Sequence, residues 1–166
     1  MRTTHTIFIL MSLIITLTAC DFLTNSDKKE VFLNLSPLEK ELAQADNAFT
    51  FNLLKKMAED EAGNLFISPL SVSMAFGMVY NGASGETKDE IAELLGLSEY
   101  SAQEINDYYH KMIKTLPKLD NKVTFEIANS IWIREGFPVE QEFLDMNRAY
   151  FHAEVDNLDF SDSKAI

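Results

Sequence analysis

The sequence predicts an α+β fold, with helices first and strands last. Two observations carry that class. Between Leu38 and Leu116 apolar residues recur at helical spacing, in segments separated by cap and turn residues. From Val123 the period drops to two. Val123, Phe125, Ile127, Ile131 and Ile133 alternate with Thr124, Glu126, Ala128, Ser130, Trp132 and Arg134. Such a row reads as a strand with one core face. Asn129 falls on the apolar side of it.

The first residues stand outside this plan. Met1-Arg2 supply a positive start, and Ile7 to Leu17 form an apolar run, IFILMSLIITL. The run is too short for a comfortable membrane span and fits a secretion signal. It closes on Leu17-Thr18-Ala19-Cys20, which resembles the lipobox of bacterial lipoproteins. That resemblance implies cleavage after residue 19 and a lipid on Cys20; a plain signal peptide with an incidental cysteine is the alternative. Cys20 is the only cysteine, so an intrachain disulfide is excluded. Residues 21–36 show mixed polarity without a sustained period and read as a tether. The expected organisation is therefore a signal peptide over 1–19, a tether over 20–37 and a folded domain over 38–166.

Within the domain, Asp46 or Asn47 could cap a helix carrying Phe49, Leu53, Leu54 and Met57, ended by Ala62-Gly63-Asn64. Leu65-Phe66-Ile67 reads as a strand fragment. Ser68 at an N-cap and Pro69 at the first helical position announce the next helix, because the N–H that proline lacks would have no intrahelical partner there. From Leu70 to Val79 that helix is apolar nearly all round, which predicts burial on most sides. Asn81-Gly82 reads as its left-handed stop. Thr87-x-x-Glu90 and Ser101-x-x-Glu104 read as capping boxes for two more helices. The first ends at Gly96; the second carries Ile105, Tyr108, Tyr109, Met112 and Ile113 and stops at Pro117. After the strand row, Glu135-Gly136 makes a turn and Val139 to Phe151 returns to helix, with Phe143, Met146 and Tyr150 on one side. Ala153-x-Val155 and Leu158-x-Phe160 predict a further strand. A last helix starts near Asp159, capped by Ser161 or Ser163. A domain ending one turn into a helix, behind two strands that need partners, reads as a truncated chain.

Composition narrows function. The chain has 166 residues, 46% hydrophobic, with 14 Lys+Arg against 26 Asp+Glu and a net charge of −12. That balance argues against nucleic-acid binding, which needs basic patches to displace counterions. Neither Ser68 nor Ser71 lies in the G-x-S-x-G elbow of a nucleophilic serine. His110 and His152 are far apart in sequence and read as surface or helix-end residues, without metal-ligand spacing. No phosphate-loop or dinucleotide motif is present, so the expectation is a non-enzyme without metal or cofactor.

Residues 64–95, NLFISPLSVSMAFGMVYNGASGETKDEIAELL, resemble the N-terminal signature of the serpins, inhibitors of serine and sometimes cysteine proteases. The resemblance rests on Asn64, Ser68, Pro69, Ser71, Gly82, Ala83 and Thr87 in the family's spacing. It continues through FEIANSIWI, with Asn129 in place, then Phe143, Tyr150, Phe151 and VDNLDF, covering about Asp46 to Ile166. It implies the N-terminal portion of the serpin fold: helices plus two strands of a large central sheet, incomplete here. In such inhibitors a target protease cleaves an exposed reactive-centre loop, and the cut loop inserts into the central sheet, itself a standard example of strand addition. That loop is absent from this sequence, so the fragment is expected to be inactive. A non-inhibitory carrier or chaperone-like serpin, or a surface-anchored binding lipoprotein, is the alternative. The resemblance places the start of the Ser68 helix beneath the opening of the sheet. Ser68 is explained locally as a cap, whereas Ser71 and Asn129 sit on otherwise apolar faces. They are expected to form a switchable polar layer there, and Ser73 is assigned no role. The expected location is the cell envelope, on an outer membrane or outside it.

Overall fold

The computed structural model describes residues 32–60 and 63–161. The signal, the lipobox with Cys20, most of the tether and the helix start after Ser161 lie outside the described residues.

The folded body begins earlier than expected. Helix α1 spans Pro37–Asp60. Its cap is Ser36, whose Oγ accepts from Glu39 N (3.2 Å) while Ser36 N donates to Glu39 Oε2 (2.6 Å). This reciprocal box satisfies two orphan donors of the first turn. Lys111 Nζ donates to Asn34 O (2.6 Å) and to Glu39 (2.7 Å), and Leu33 and Leu35 pack on the core. The last residues of the expected tether are thus part of the domain. Asp46 and Asn47 cap nothing, since α1 runs through both without a break.

Helix α2 spans Pro69–Tyr80 and α3 spans Gly85–Leu95. Helix α4 spans Ala102–Thr115, and a 3₁₀ turn at Leu116–Lys118 follows. The Ser101–Glu104 box forms as predicted, with both reciprocal bonds present. Gly96 closes α3 in the left-handed region (φ 69), where Leu97 N reaches Ala92 O at 2.7 Å. The Thr87–Glu90 box does not form. Ser84 sits at the N-cap without a side-chain bond, and Gly85 (φ 56) turns the chain into the helix, placing Thr87 inside it. Asn81-Gly82 is no left-handed stop either. Asn81 keeps a helical φ of −66, and Ala83 N bonds back to Val79 O at 3.0 Å, so the chain leaves α2 in a tight right-handed turn.

The strand row is shorter than its pattern. Only β1, Ser130–Arg134, is hydrogen-bonded, in parallel with β2, Glu154–Leu158, from Ser130 opposite Glu154 to Arg134 opposite Leu158. Helix α5, Gln141–Phe151, links them; parallel strands need such a crossover. Alternating exposure begins at Ile127, but Val123 and Phe125 are exposed and unpaired. Alternation encodes a face, whereas a strand also requires a neighbour. The same reason removes the fragment at Leu65-Phe66-Ile67, where Phe66 is fully exposed.

Helix α2 is the hub, touching α1, α3, α4 and α5. It buries Ser73, Met74, Gly77, Met78 and Tyr80. Gly77 lets its neighbours close in: a Cβ there would lie 3.0 Å from the Phe151 ring and 3.1 Å from Tyr109. Around this axis the core gathers Leu42 and Phe49 from α1, Ile91 and Leu95 from α3, and Ile105, Tyr109 and Met112 from α4. Burial on most sides is only partly realised. Ser71, Ala75 and Val79, four residues apart, form one exposed stripe.

The two caps make a paired prediction. Ser101→Ala removes a cap hydrogen bond and lowers unfolding stability by about 1 kcal/mol. Ser84→Ala removes none and leaves the unfolding free energy from urea titration within about half a kcal/mol of the parent. Equal losses from the two substitutions would contradict this assignment.

Candidate functional site

The residues singled out in sequence gather along α2 but do not form one cluster. Asn64 lies exposed in the coil before the helix. Ser68 occupies the N-cap, its Oγ accepting from Ser71 N (3.4 Å), and Pro69 is the first helical residue. The hydroxyls of Ser68 and Ser71 pair at 2.8 Å. Ser71 is therefore bonded locally, on the exposed stripe rather than a buried face. The apolar sequence around it gave no sign of that exposure, because α2 is flanked on its other sides by four helices.

Asn129 lies just before β1 on the inward side, as its place in the alternation predicts. Its Nδ2 donates to Phe151 O (2.8 Å), and its own carbonyl accepts from Glu154 N (2.9 Å). It thereby ties the end of α5 and the start of β2 to the approach of β1. Ser71 and Asn129 have separate partners, so the expected common layer is not assembled in this body. Gly82 and Thr87 line an open cleft of about 800 Å³ together with Val79, Phe137 and Phe143. Gly82 is there for proximity: a Cβ would sit 2.7 Å from the Phe143 ring.

Two polar clusters escaped the sequence reading. The first joins Asn81, Asn106 and Asn147. Asn81 and Asn106 exchange reciprocal amide bonds of 3.0 Å, and Asn81 Nδ2 also reaches Asn147 Oδ1 at 3.3 Å. Asn147 Nδ2 donates onward to Phe143 O at 3.0 Å. Asn106 and Asn147 are fully buried, so satisfying every amide fixes how the end of α2 meets α4 and α5. The second is Asp46, 9% exposed at the middle of α1. Tyr108 and Tyr109 donate their hydroxyls to its two oxygens at 2.9 and 3.0 Å. The buried Ser73 adjoins it and donates to Leu70 O at 3.1 Å. Burial pushes the Asp46 carboxyl above the usual carboxylate range, against the opposing pull of the two phenols. The same burial, reinforced by the Asp46 charge, pushes both tyrosine hydroxyls upward, so they remain donors. Helical periodicity hides such clusters because their members come from different elements. Only the adjacency of two tyrosines on the apolar face of α4 hinted at a polar partner.

The Asp46 cluster sets a pH dependence. A carboxyl whose folded pKa is raised adds stability that is fully present below its unfolded value, about 3.9. That stability is lost as pH rises through the higher folded value. Relative to Asp46→Asn, the parent chain gains thermal stability as pH falls from 7 towards 4. Asp46→Ala strands two buried hydroxyls and costs about 1–3 kcal/mol in urea unfolding at either pH. A parent and an Asn variant with parallel melting profiles across that range would refute the cluster's role.

Comparison with known proteins follows the same architecture. The sequence profile of the family described as "Serpin (serine protease inhibitor)" matches residues 44–166. Neuroserpin of Mus musculus is 35% identical over 116 residues, covering 70% of this chain and 28% of that protein. An uncharacterized serpin-like protein of Methanosarcina acetivorans is 28% identical over 174 residues, covering 93% of this chain and 38% of its own length. Among solved structures, reactive-loop-cleaved human thyroxine binding globulin superposes with a TM-score of 0.69 at 28% identity. That match covers 76% of this chain and 39% of the globulin. The chain spans less than two fifths of the length of these relatives. On the family profile over residues 44–166, the identity to neuroserpin and the shared fold, the chain belongs to the serpin family.

Proposed function

We propose that this chain is the N-terminal part of an exported, lipid-anchored serpin whose full-length form inhibits a serine or cysteine protease by loop insertion. The observation that carries this reading is the match of residues 44–166 to a family described by that activity. Two features of the body support it. Helix α2 keeps an exposed stripe of small and apolar residues, Ser71, Ala75 and Val79, suited to lie beneath a sheet. Among the described residues β1 and β2 pair only with each other, leaving outer edges that a wider sheet would fill. In this proposal Asn64, Ser68, Pro69, Ser71, Gly82, Thr87 and Asn129 serve the region beneath the opening sheet. The hydroxyl pair of Ser68 and Ser71 is the contact an overlying strand would exchange. Without a reactive loop the 166-residue chain traps no protease, and the mechanism needs neither metal nor cofactor. A carrier without inhibitory activity is the second reading, favoured by the likeness to a globulin named for binding thyroxine.

The test uses the complete coding sequence. The full-length protein forms a complex with a serine or cysteine protease that survives boiling in SDS, and the 166-residue chain forms none. Ser71→Leu in the full-length protein reduces the yield of that complex at least several-fold. A full-length protein that is cleaved as a plain substrate by every protease offered would favour the carrier.

The anchor is read from Leu17-Thr18-Ala19-Cys20. The Cys20 thiol would carry the lipid and hold the protein at an outer membrane or on the cell surface, and attachment would rest on more than one acyl chain. Labelling of expressing bacteria with a radioactive fatty acid should mark the wild-type protein and not Cys20→Ser. Equal label on both proteins would rule out lipidation at Cys20.

A further inference from the structure

His110 lies on the flank of α4, and His152 is the residue that closes α5. Their rings meet edge to face with centroids 5.1 Å apart. Tyr150 makes a second edge contact, 6.0 Å from the His110 ring. Gln103 Nε2 donates to the Tyr150 hydroxyl at 2.9 Å, extending the seam along α4. His152 adopts a left-handed backbone (φ 51), and its N–H donates to Asn147 O. The cap thus fixes the His152 backbone, from which the exposed ring reaches His110.

The charged groups around this seam are mostly paired elsewhere, and Lys114 is the cation that acts on it. On α4, Asp107 accepts from Gln103 at 3.1 Å, and Lys111 is engaged by Glu39 at 2.7 Å. Lys114 acts on His152 from the same helix, with a repulsive effect. On α5, Arg148 pairs with Asp145 at 3.4 Å. Glu154 follows at the start of β2 and is exposed. Among the described residues no carboxylate forms an ion pair with either imidazole. His110 Nδ1 is buried without a hydrogen-bond partner. A proton added to His152 would set a charge against this unpartnered ring edge and beside Lys114.

We propose that the His110–His152 pair is a pH-sensitive catch, which holds α4 against the α5–β2 corner while the His152 ring is neutral and loosens when that ring is protonated. The corner is the point where β2 is anchored: Ala153 N donates to Asn147 O (3.2 Å) and Glu154 N to Asn129 O (2.9 Å). Loosening it frees the end of a strand. Burial, then the charges of His110 and Lys114, hold the His152 imidazole below its ordinary range. The folded state therefore binds fewer protons than the unfolded one. The catch is fully closed above about pH 6.5, the ordinary imidazole value, and opens as pH falls through the lower folded value. This sign is opposite to that of Asp46, so the two groups are separable. The inference does not depend on protease inhibition.

The test is amide hydrogen exchange on the 166-residue chain at pH 7.5 and 5.5, corrected for intrinsic rates. The amides of Ala153 and Glu154 lose protection severalfold on acidification in the parent chain. The double variant His110→Gln, His152→Asn keeps its protection, asparagine being a residue that tolerates the left-handed backbone. Equal acid loss in parent and variant overturns the proposal. Should the variant fail to fold, proton NMR of the imidazole C–H signals in the parent decides. A His152 midpoint below pH 6.5 supports the catch, and one at or above it overturns the catch.

Discussion

The body depends on how closely two aromatic rings can approach the backbone of α2 at Gly77. Phe151 and Tyr109 occupy the space where any side chain would stand, 3.0–3.1 Å from an added Cβ. Those two rings themselves touch, with centroids 5.4 Å apart. Through Tyr109 the contact fixes α4, and through Phe151 it fixes the end of α5. The carbonyl of Phe151 receives Asn129, and the β1–β2 pairing begins within three residues of it. One missing side chain thus places the helical layer and the sheet. Interiors packed at crystal density leave no slack for a methyl group at such a point.

Polar groups then decide the details that apolar packing leaves free. Hydrophobic contact is non-directional, so α2, α4 and α5 could slide on one another with little loss. The buried amides of Asn81, Asn106 and Asn147 accept one arrangement, because each unsatisfied amide in the interior is costly. Asp46 does the same for α1, reaching two phenols on α4. The arrangement gives the hub helix a rigid buried side and leaves Ser71, Ala75 and Val79 uncovered.

Local signals in the sequence match the structure where one element satisfies its own chemistry. Ser68-Pro69 began a helix, the Ser101–Glu104 box closed on itself, and Gly96 took the left-handed cap. They failed where a competing local choice was stronger or the pattern was ambiguous. Ser36 and Glu39 captured the start of α1 instead of Asp46, and Gly85 began α3 ahead of Thr87. The strand row from Val123 was legible as a face, yet only Ser130–Arg134 found a partner.

By itself the sequence determined the α+β class, the order of elements, most helix ends and the family signature, because these follow from periodicity and from caps within a few residues. It also placed Asn129 on the inward side, since alternation assigns faces. Tertiary structure decided that Asp46 is a buried carboxylate, that three asparagines meet, and that His110 touches His152. It decided as well that Ser71 is exposed and paired with Ser68. The physical reason is that each of these joins, or leaves bare, surfaces of separate elements. A periodic pattern tells which side of a helix is apolar, but only packing tells what stands opposite it.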